Sequence, residues 1–334
     1  MSSRSETRQH GAQSGSPLAP LLAAKGFVLL DGGLATALER RGHDLSGHLW
    51  SAQLLLDEPD EVRAVHEAYL RAGADCVITA SYQASFPGLA RIGVDARDAA
   101  DLLSLSTRLA VEARASFLDV ADVRTRIVGG PLVAASVGPY GAALADGSEY
   151  DGRYRVDAAA LRDFHRDRME ILAASGADLL ACETMPSAVE VEVLLHVLDD
   201  LPHAAAWMTF SCRDGASLWD GTPIEDVVAM CAGHDRIVAV GVNCTAPRHV
   251  GELIERAAAV THLPLIAYPN SGERWDAVAR SWSYDGGDEE TWPWLDGLRD
   301  AWRAGARVVG GCCRVGPEEI AELRRSVEGG DWPG

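Results

Sequence analysis

Arg71-Ala72-Gly73-Ala74-Asp75 stands between a helical pattern and the apolar run Cys76-Val77-Ile78-Thr79-Ala80-Ser81, and the phrase returns twice. Ala174-Ser175-Gly176-Ala177-Asp178 leads into Leu179-Leu180-Ala181-Cys182-Glu183, and Arg303-Ala304-Gly305-Ala306-Arg307 leads into Val308-Val309-Gly310. A glycine in that place suits the left-handed residue that ends a helix. Each copy therefore reads as helix, stop, strand. Working outward, the chain repeats this alternation from residue 25 onward. Further strands are expected at Phe27–Leu30, Leu132–Ser136, Ala206–Ser211, Val238–Cys244 and Leu263–Tyr268. Helices are expected at 58–71, 96–117, 157–175, 187–198, 224–232, 248–260, 295–304 and 317–327. The first of these carries Val62, Val65, Tyr69 and Leu70 on one face, with Pro59 near its start, where a missing N–H costs little.

Eight strands, each followed by a helix, make the expected fold class α/β, a (β/α)8 TIM barrel. A doubly wound open sheet would share the alternation. It would also place a G-x-G-x-x-G phosphate loop after the first strand, where this chain has Asp31-Gly32-Gly33. One domain over 18–330 is expected, behind a Ser-, Gly- and Gln-rich leader at 1–17 that reads as disordered and has no apolar core of a signal peptide.

Composition narrows the function classes. The 334 residues are 47% hydrophobic and 24% charged, as in soluble globular chains. A formal charge of −19 would repel a polyanion, so nucleic acid is not an expected partner. No apolar run approaches the ~20 residues of a membrane span, and the expected location is the cytoplasm. Seven cysteines is an odd number without the spacing of a disulfide framework. In a reducing compartment such cysteines lean toward metal binding or catalysis.

In a barrel of this kind the active site is built where the strands end at their C-terminal side. Those ends carry Asp31-Gly32-Gly33, Thr79 and Ser81, Ser136, Glu183-Thr184, Asn243-Cys244, Tyr268 with Asn270, and Gly310-Gly311-Cys312-Cys313. Taken alone, Cys312-Cys313 reads as a metal site, a buried or redox thiol pair, or chance. Strands six and eight are close neighbours in the ring, however, so Cys244 can join the pair. Three thiolates without a fourth protein ligand describe an open catalytic zinc site, with Cys212 the one rival ligand. Cys76 and Cys231 read as packing residues, and alternation turns Cys182 away from whatever Glu183 faces. Zinc held by three thiolates is a poor Lewis acid toward carbonyls, yet it can hold a fourth thiol deprotonated and nucleophilic. That suits alkyl transfer to a thiol better than hydrolysis.

These residues resemble the zinc-dependent homocysteine S-methyltransferases over nearly everything from Leu29 to Leu323. Gly241-Val242-Asn243-Cys244 and Gly310-Gly311-Cys312-Cys313 look like the family's metal motif, and Asp31-Gly32-Gly33 and Ala181-Cys182-Glu183-Thr184 look like its other signatures. Four longer stretches, beginning at Thr79, Ser136, Gly147 and Tyr268, are most similar to the branch that uses S-methylmethionine or S-adenosylmethionine. No folate or cobalamin domain of the multidomain methionine synthases is seen, and betaine fits these motifs less well. The resemblance implies one Zn2+ per chain on Cys244, Cys312 and Cys313, with homocysteine sulfur as the fourth ligand. It implies catalysis through those cysteines and Glu183. It also implies substrate contacts from Asp31, Gly32, Gly33, Thr79, Ser81, Glu183 and Asn243, with Glu183 facing the ammonium. The implied reaction moves a methyl group from a sulfonium to the homocysteine thiolate, giving methionine. Tyr140, Tyr268, Trp275 and Trp282 are the aromatics available to a sulfonium. Three other readings stay open: a different thiol or selenol acceptor such as selenocysteine, a non-catalytic zinc- or thiol-binding barrel, and a redox role for the vicinal Cys312-Cys313 pair. The long leader and a Gly-Asp-Glu-Glu run at 287–290 are the departures from the family pattern.

Overall fold

The three glycines of the repeated phrase take the left-handed backbone that their position demands, with φ of 104° at Gly73, 94° at Gly176 and 111° at Gly305. The aspartates that follow have a second use. Asp75 accepts the backbone N–H of Leu29 at 3.1 Å, and Asp178 accepts that of Val133 at 2.7 Å. Each carboxylate thus pins its own strand to the preceding one. Arginines neutralise both: Arg114 reaches Asp178, while Arg324 joins Lys25 on Asp75.

The computed structural model describes residues 15–45, 51–119, 130–144, 147–276, 281–283, 294–330 and 332, with backbone alone at 51–52, 274–276 and 281–283. Most of the leader and the run at 287–290 lie outside these residues, as do the side chains of Trp275 and Trp282.

Among the described residues, β1 is Val28–Leu29, β2 Cys76–Ile78, β3 Leu132–Val137, β4 Leu179–Met185 and β5 Ala206–Phe210. Next come β6 Ile237–Asn243 and β7 Leu265–Tyr268, then a hairpin of β8 Arg274–Asp276 and β9 Ser281–Ser283, and finally β10 Ala306–Val309. The hairpin stands apart from the main sheet. The other eight strands run parallel in the order β1-β10-β7-β6-β5-β4-β3-β2. A parallel bridge between Leu30 and Cys76 joins the two ends, so the sheet closes into the expected barrel.

Alternation along each strand divides the core in two. Val133, Ala135, Leu180, Cys182, Met208, Val240 and Val242 pack outward with the helices. Ala134, Ala181, Trp207, Ala239, Ile266 and Val308 fill the interior, where Trp207 meets Tyr268 edge-on at 6.5 Å. The helix Pro59–Ala72 buries Val62, Val65, Tyr69 and Leu70 as its periodicity predicts, and His66 with them.

Several elements were not legible in the sequence. A helix at Ala19–Lys25, ending at Gly26, places Leu18 and Leu21 in the interior cluster with the first residues of β2, β3 and β4, and so plugs the N-terminal mouth. Short helices at Leu34–Arg40, Phe86–Ala90 and Tyr140–Leu144 occupy segments that read as connectors. At five to seven residues they are too short to show a helical period, and tertiary packing is what makes such helices stable.

A methyl group on Gly176 would touch nothing within 4 Å, so backbone conformation alone decides its cost. Gly176→Ala is expected to lower stability by about 1–2 kcal/mol, read as a lower urea midpoint at unchanged m-value.

Candidate active site and metal centre

Cys244 is the first residue after β6, and Cys312 and Cys313 follow β10. With only β7 between those strands, the three sulfurs converge, all within 4.8 Å of one another, and Cys244 Sγ lies 3.7 Å from Cys313 Sγ. The backbone is bent to bring them together. Cys244 takes a φ of 46°, a left-handed conformation that a non-glycine residue adopts only when its surroundings impose it. The loop after β10 folds back so tightly that a Cβ on Gly311 would lie 2.2 Å from Val315 Cγ1. The first loop seals the same turn: Gly33 N–H donates to Val315 O at 2.8 Å, and a Cβ on Gly32 would meet that oxygen at 2.3 Å. Cys312 N–H donates to Pro269 O and Gly311 N–H to Asp31 O, so loops one, seven and eight lock together.

Three soft donors at this spacing, fixed by backbone hydrogen bonds, fit one metal ion. Their mutual electrostatics point the same way. Hydrogen bonds from the Cys312 thiol, then the Cys313 thiol, hold Cys244 well below the ordinary thiol range. Cys312 and Cys313 are pushed well above it, first through their bonds to Cys244. One thiolate forms readily here and two more are resisted, which is the imbalance that a divalent cation removes. Tyr150 adds its hydroxyl at 3.4 Å from Cys244 Sγ.

The remaining cysteines stand apart from this cluster. Cys212 is buried, and burial pushes its thiol far up. Cys182 packs outward among the helices while Glu183 turns inward, as alternation requires. Cys76 lies in the interior cluster and Cys231 in the outer one, both as packing residues.

The sulfurs open on a cavity of about 120 Å³, lined also by Gly32, Gly33, Thr79, Glu183 and Tyr268. That is room for several waters at ~30 Å³ each, enough for a small-molecule head group. Glu183 is held between the Ser136 hydroxyl and Tyr268 Oη, the latter at 3.1 Å, and Tyr268 is itself paired with Thr209 Oγ1 at 2.8 Å. Burial pushes Glu183 up to about 7, against those two hydrogen bonds, which lower it. Burial likewise lifts Asp31 well above the carboxylate range, opposed by the Ile78 N–H and assisted by the charge of Glu183. One Asp31 oxygen accepts that N–H at 2.8 Å, and the other is buried without a partner. Of the two acids Glu183 lines the cavity, whereas Asp31, though next to Gly32, is not among the lining residues.

Not every expected site residue reaches the cavity. Thr79 does, but its hydroxyl is shared with Ser81 at 2.8 Å, and Ser81 donates to Ser136 O behind the lining. Asn243 is fully buried and spends both amide atoms on Thr184, accepting its N–H and donating to its Oγ1, each at 2.7 Å. Those bonds hold Thr184 at a φ of 64°, so Asn243 shapes the end of β4 instead of lining the cavity. Tyr140 packs against Tyr154 and Phe164, away from the cavity lining, whereas Tyr268 lines it. Tyr82, Glu149 and Tyr150 also line the cavity and were missed. They lie several residues beyond their strands, where strand-end counting does not look.

Removing one sulfur should empty the metal centre. Cys312→Ala and Cys313→Ala are each expected to take bound metal from about one per chain to near zero, measured by elemental analysis after dialysis, with the melting curve of the metal-free protein unchanged.

Residues 28–327 match the family described as homocysteine S-methyltransferase. Among relatives, the homocysteine S-methyltransferase of Escherichia coli K12 is 47% identical over 309 residues, covering 92% of this chain and 98% of that protein. The selenocysteine Se-methyltransferase of Brassica oleracea var. italica is 40% identical, over 90% of this chain and 89% of its own. The crystal structure of the E. coli homocysteine methyltransferase MmuM in its metallated form superposes with a TM-score of 0.81 at 44% identity, over 92% of this chain and 99% of that one. The oxidized form of the same enzyme gives a TM-score of 0.82. By fold, by site and by these likenesses, the chain belongs to the homocysteine S-methyltransferase family.

Proposed function

We propose that this protein transfers a methyl group from a sulfonium, S-methylmethionine or S-adenosylmethionine, to the sulfur of homocysteine, giving methionine. The observation that carries the reading is the convergence of three cysteine sulfurs on a cavity whose inner wall holds Glu183. Cys244, Cys312 and Cys313 would hold one zinc ion, which when bound keeps a fourth thiol deprotonated near neutral pH. Glu183 receives the substrate ammonium, held for it by Ser136 and Tyr268. Asp31, one oxygen already fixed by the Ile78 N–H, helps position the amino-acid end together with the Gly32-Gly33 backbone, which lines the cavity.

The chemistry asks little more of the protein. The homocysteine sulfur forms the new C–S bond while the sulfonium C–S bond breaks, and its electron pair stays on the departing sulfur. The leaving group is a neutral thioether that needs no proton, so the protein's task is alignment. A sulfonium cation is attracted to aromatic faces, and Tyr82, Tyr150 and Tyr268 are the tyrosines around the cavity. The 40% identical selenocysteine Se-methyltransferase supports a second reading, in which the acceptor is a selenol of similar shape. We place the reaction in the cytoplasm, where seven unpaired cysteines are compatible with the redox poise.

Purified zinc-loaded protein is expected to convert homocysteine to methionine with either sulfonium, and full activity in Cys312→Ala would sink the proposal. Selenocysteine in competition reads out the second acceptor. Glu183→Gln is expected to raise the homocysteine KM about 10- to 100-fold, since a hydrogen bond to a charged group is worth about 1.5–3 kcal/mol. The pH dependence has a definite sign. In the unliganded protein Glu183 ionises near 7, so below that pH it is neutral and attracts no ammonium. Methionine lacks a thiol and isolates this contact. Its Kd should rise by up to about tenfold per unit as pH falls below about 7, and stay flat in Glu183→Gln, by titration calorimetry.

A further inference from the structure

Arg168 lies on the helix Ala158–Ala174 and is fully buried. The buried face of that helix holds Leu161, Phe164, Met169 and Leu172, so a guanidinium occupies a place where the helical pattern calls for an apolar side chain. Burying a cation is costly unless its donors find acceptors. Arg168 finds them on backbone for its two Nη atoms, while Nε is buried without a partner. Nη1 donates to Gly138 O at 3.2 Å, and Nη2 donates to Tyr82 O at 3.3 Å and Ser81 O at 3.4 Å. The Phe164 ring lies 5.2 Å from its Cζ. Glu190, also fully buried, keeps the region balanced, accepting the Tyr140 N–H at 2.6 Å and pairing with His165 Nε2 at 2.8 Å.

The three carbonyls belong to the two loops that leave β2 and β3. Those loops meet at Tyr82. A Cβ on Gly138 would lie 2.4 Å from Tyr82 O and 2.7 Å from the ring at Cδ2, so this backbone lies flat against the tyrosine. On the far side Tyr82 lines the cavity together with Cys244 and Glu183. The guanidinium therefore grips, from behind, the backbone that presents Tyr82 to the site. No other cation among the described residues is as deeply buried as this one.

We propose that Arg168 is a positioning residue for methyl transfer, fixing the Ser81-Tyr82 and Gly138 backbone so that the Tyr82 ring faces the cysteine sulfurs across the cavity. It touches no substrate and acts through Tyr82. The inference rests on the methyl-transfer reading above, and turnover by the native protein is the control that separates the two: without it, the reading itself fails.

The test is a double-mutant cycle of Arg168→Met and Tyr82→Ala in the zinc-loaded full chain. Its readouts are kcat/KM, methionine Kd by calorimetry, metal content and melting curve. Arg168→Met is expected to lower kcat/KM by about tenfold or more with metal still one per chain, and by less than about twofold when Tyr82 is already alanine. Methionine Kd should shift in the same pattern, without turnover. Arg168→Lys keeps the cation but loses the planar fork, and is expected to cost about threefold, again only while Tyr82 is present. If Arg168→Met does not fold, the lysine variant carries the cycle. A loss of equal size in both Tyr82 backgrounds, or no loss in the variant that folds, overturns the proposal.

Discussion

The barrel closes through its shortest member. β1 contributes two residues, yet it must pair with β10 on one side and pass the ring on to β2 through Leu30 and Cys76. Everything at the C-terminal rim depends on that closure. It carries Asp31-Gly32-Gly33 against the cysteine loop, where Gly33 and Gly311 exchange backbone bonds with the turn at Val315 and with Asp31. Asp75 reinforces the joint by accepting the Leu29 N–H from the next strand, with Lys25 and Arg324 balancing its charge. A charged clamp at the bottom thus fixes the register on which a sulfur cluster at the top relies.

The rim in turn concentrates unfavourable features. Non-glycine residues with positive φ occur at Thr184, Cys244 and Arg314, all at strand ends or in the cysteine loop. Burial raises the proton affinity of two carboxylates, Asp31 and Glu183, and three thiols crowd one point. Each costs stability in the unliganded protein. The interior below, with Trp207, Ile266 and Val308 fully buried, offsets this by burying apolar surface. A metal ion, an ammonium and a sulfonium are the cations that the proposed reaction brings to this rim.

Much of this was readable one residue at a time. The strand and helix alternation survives because each barrel strand has two buried faces and each helix one, which leaves short continuous apolar runs and period-3.6 patterns in the chain. Cys182 could be set apart from Glu183 by alternation alone. Other assignments needed the fold. Asn243 ends a strand like a site residue, but its amide is consumed by Thr184. Tyr140 looked available to a ligand and is packed against Phe164 and Tyr154, while Tyr82 and Tyr150, farther along their loops, reach the cavity.

The sequence by itself determined the count of barrel strands, the class of the barrel, the three cysteines that converge and the inward acid, because local periodicity and residue chemistry specify these. Only the tertiary structure decided which loop residues share the cavity, how a plug at Ala19–Lys25 closes the other mouth, and why an arginine is buried at position 168. The physical reason is that loops lack a period. Where a loop side chain points is set by hydrogen bonds to residues far away in the chain, as Ser81, Tyr82 and Gly138 are set by Arg168.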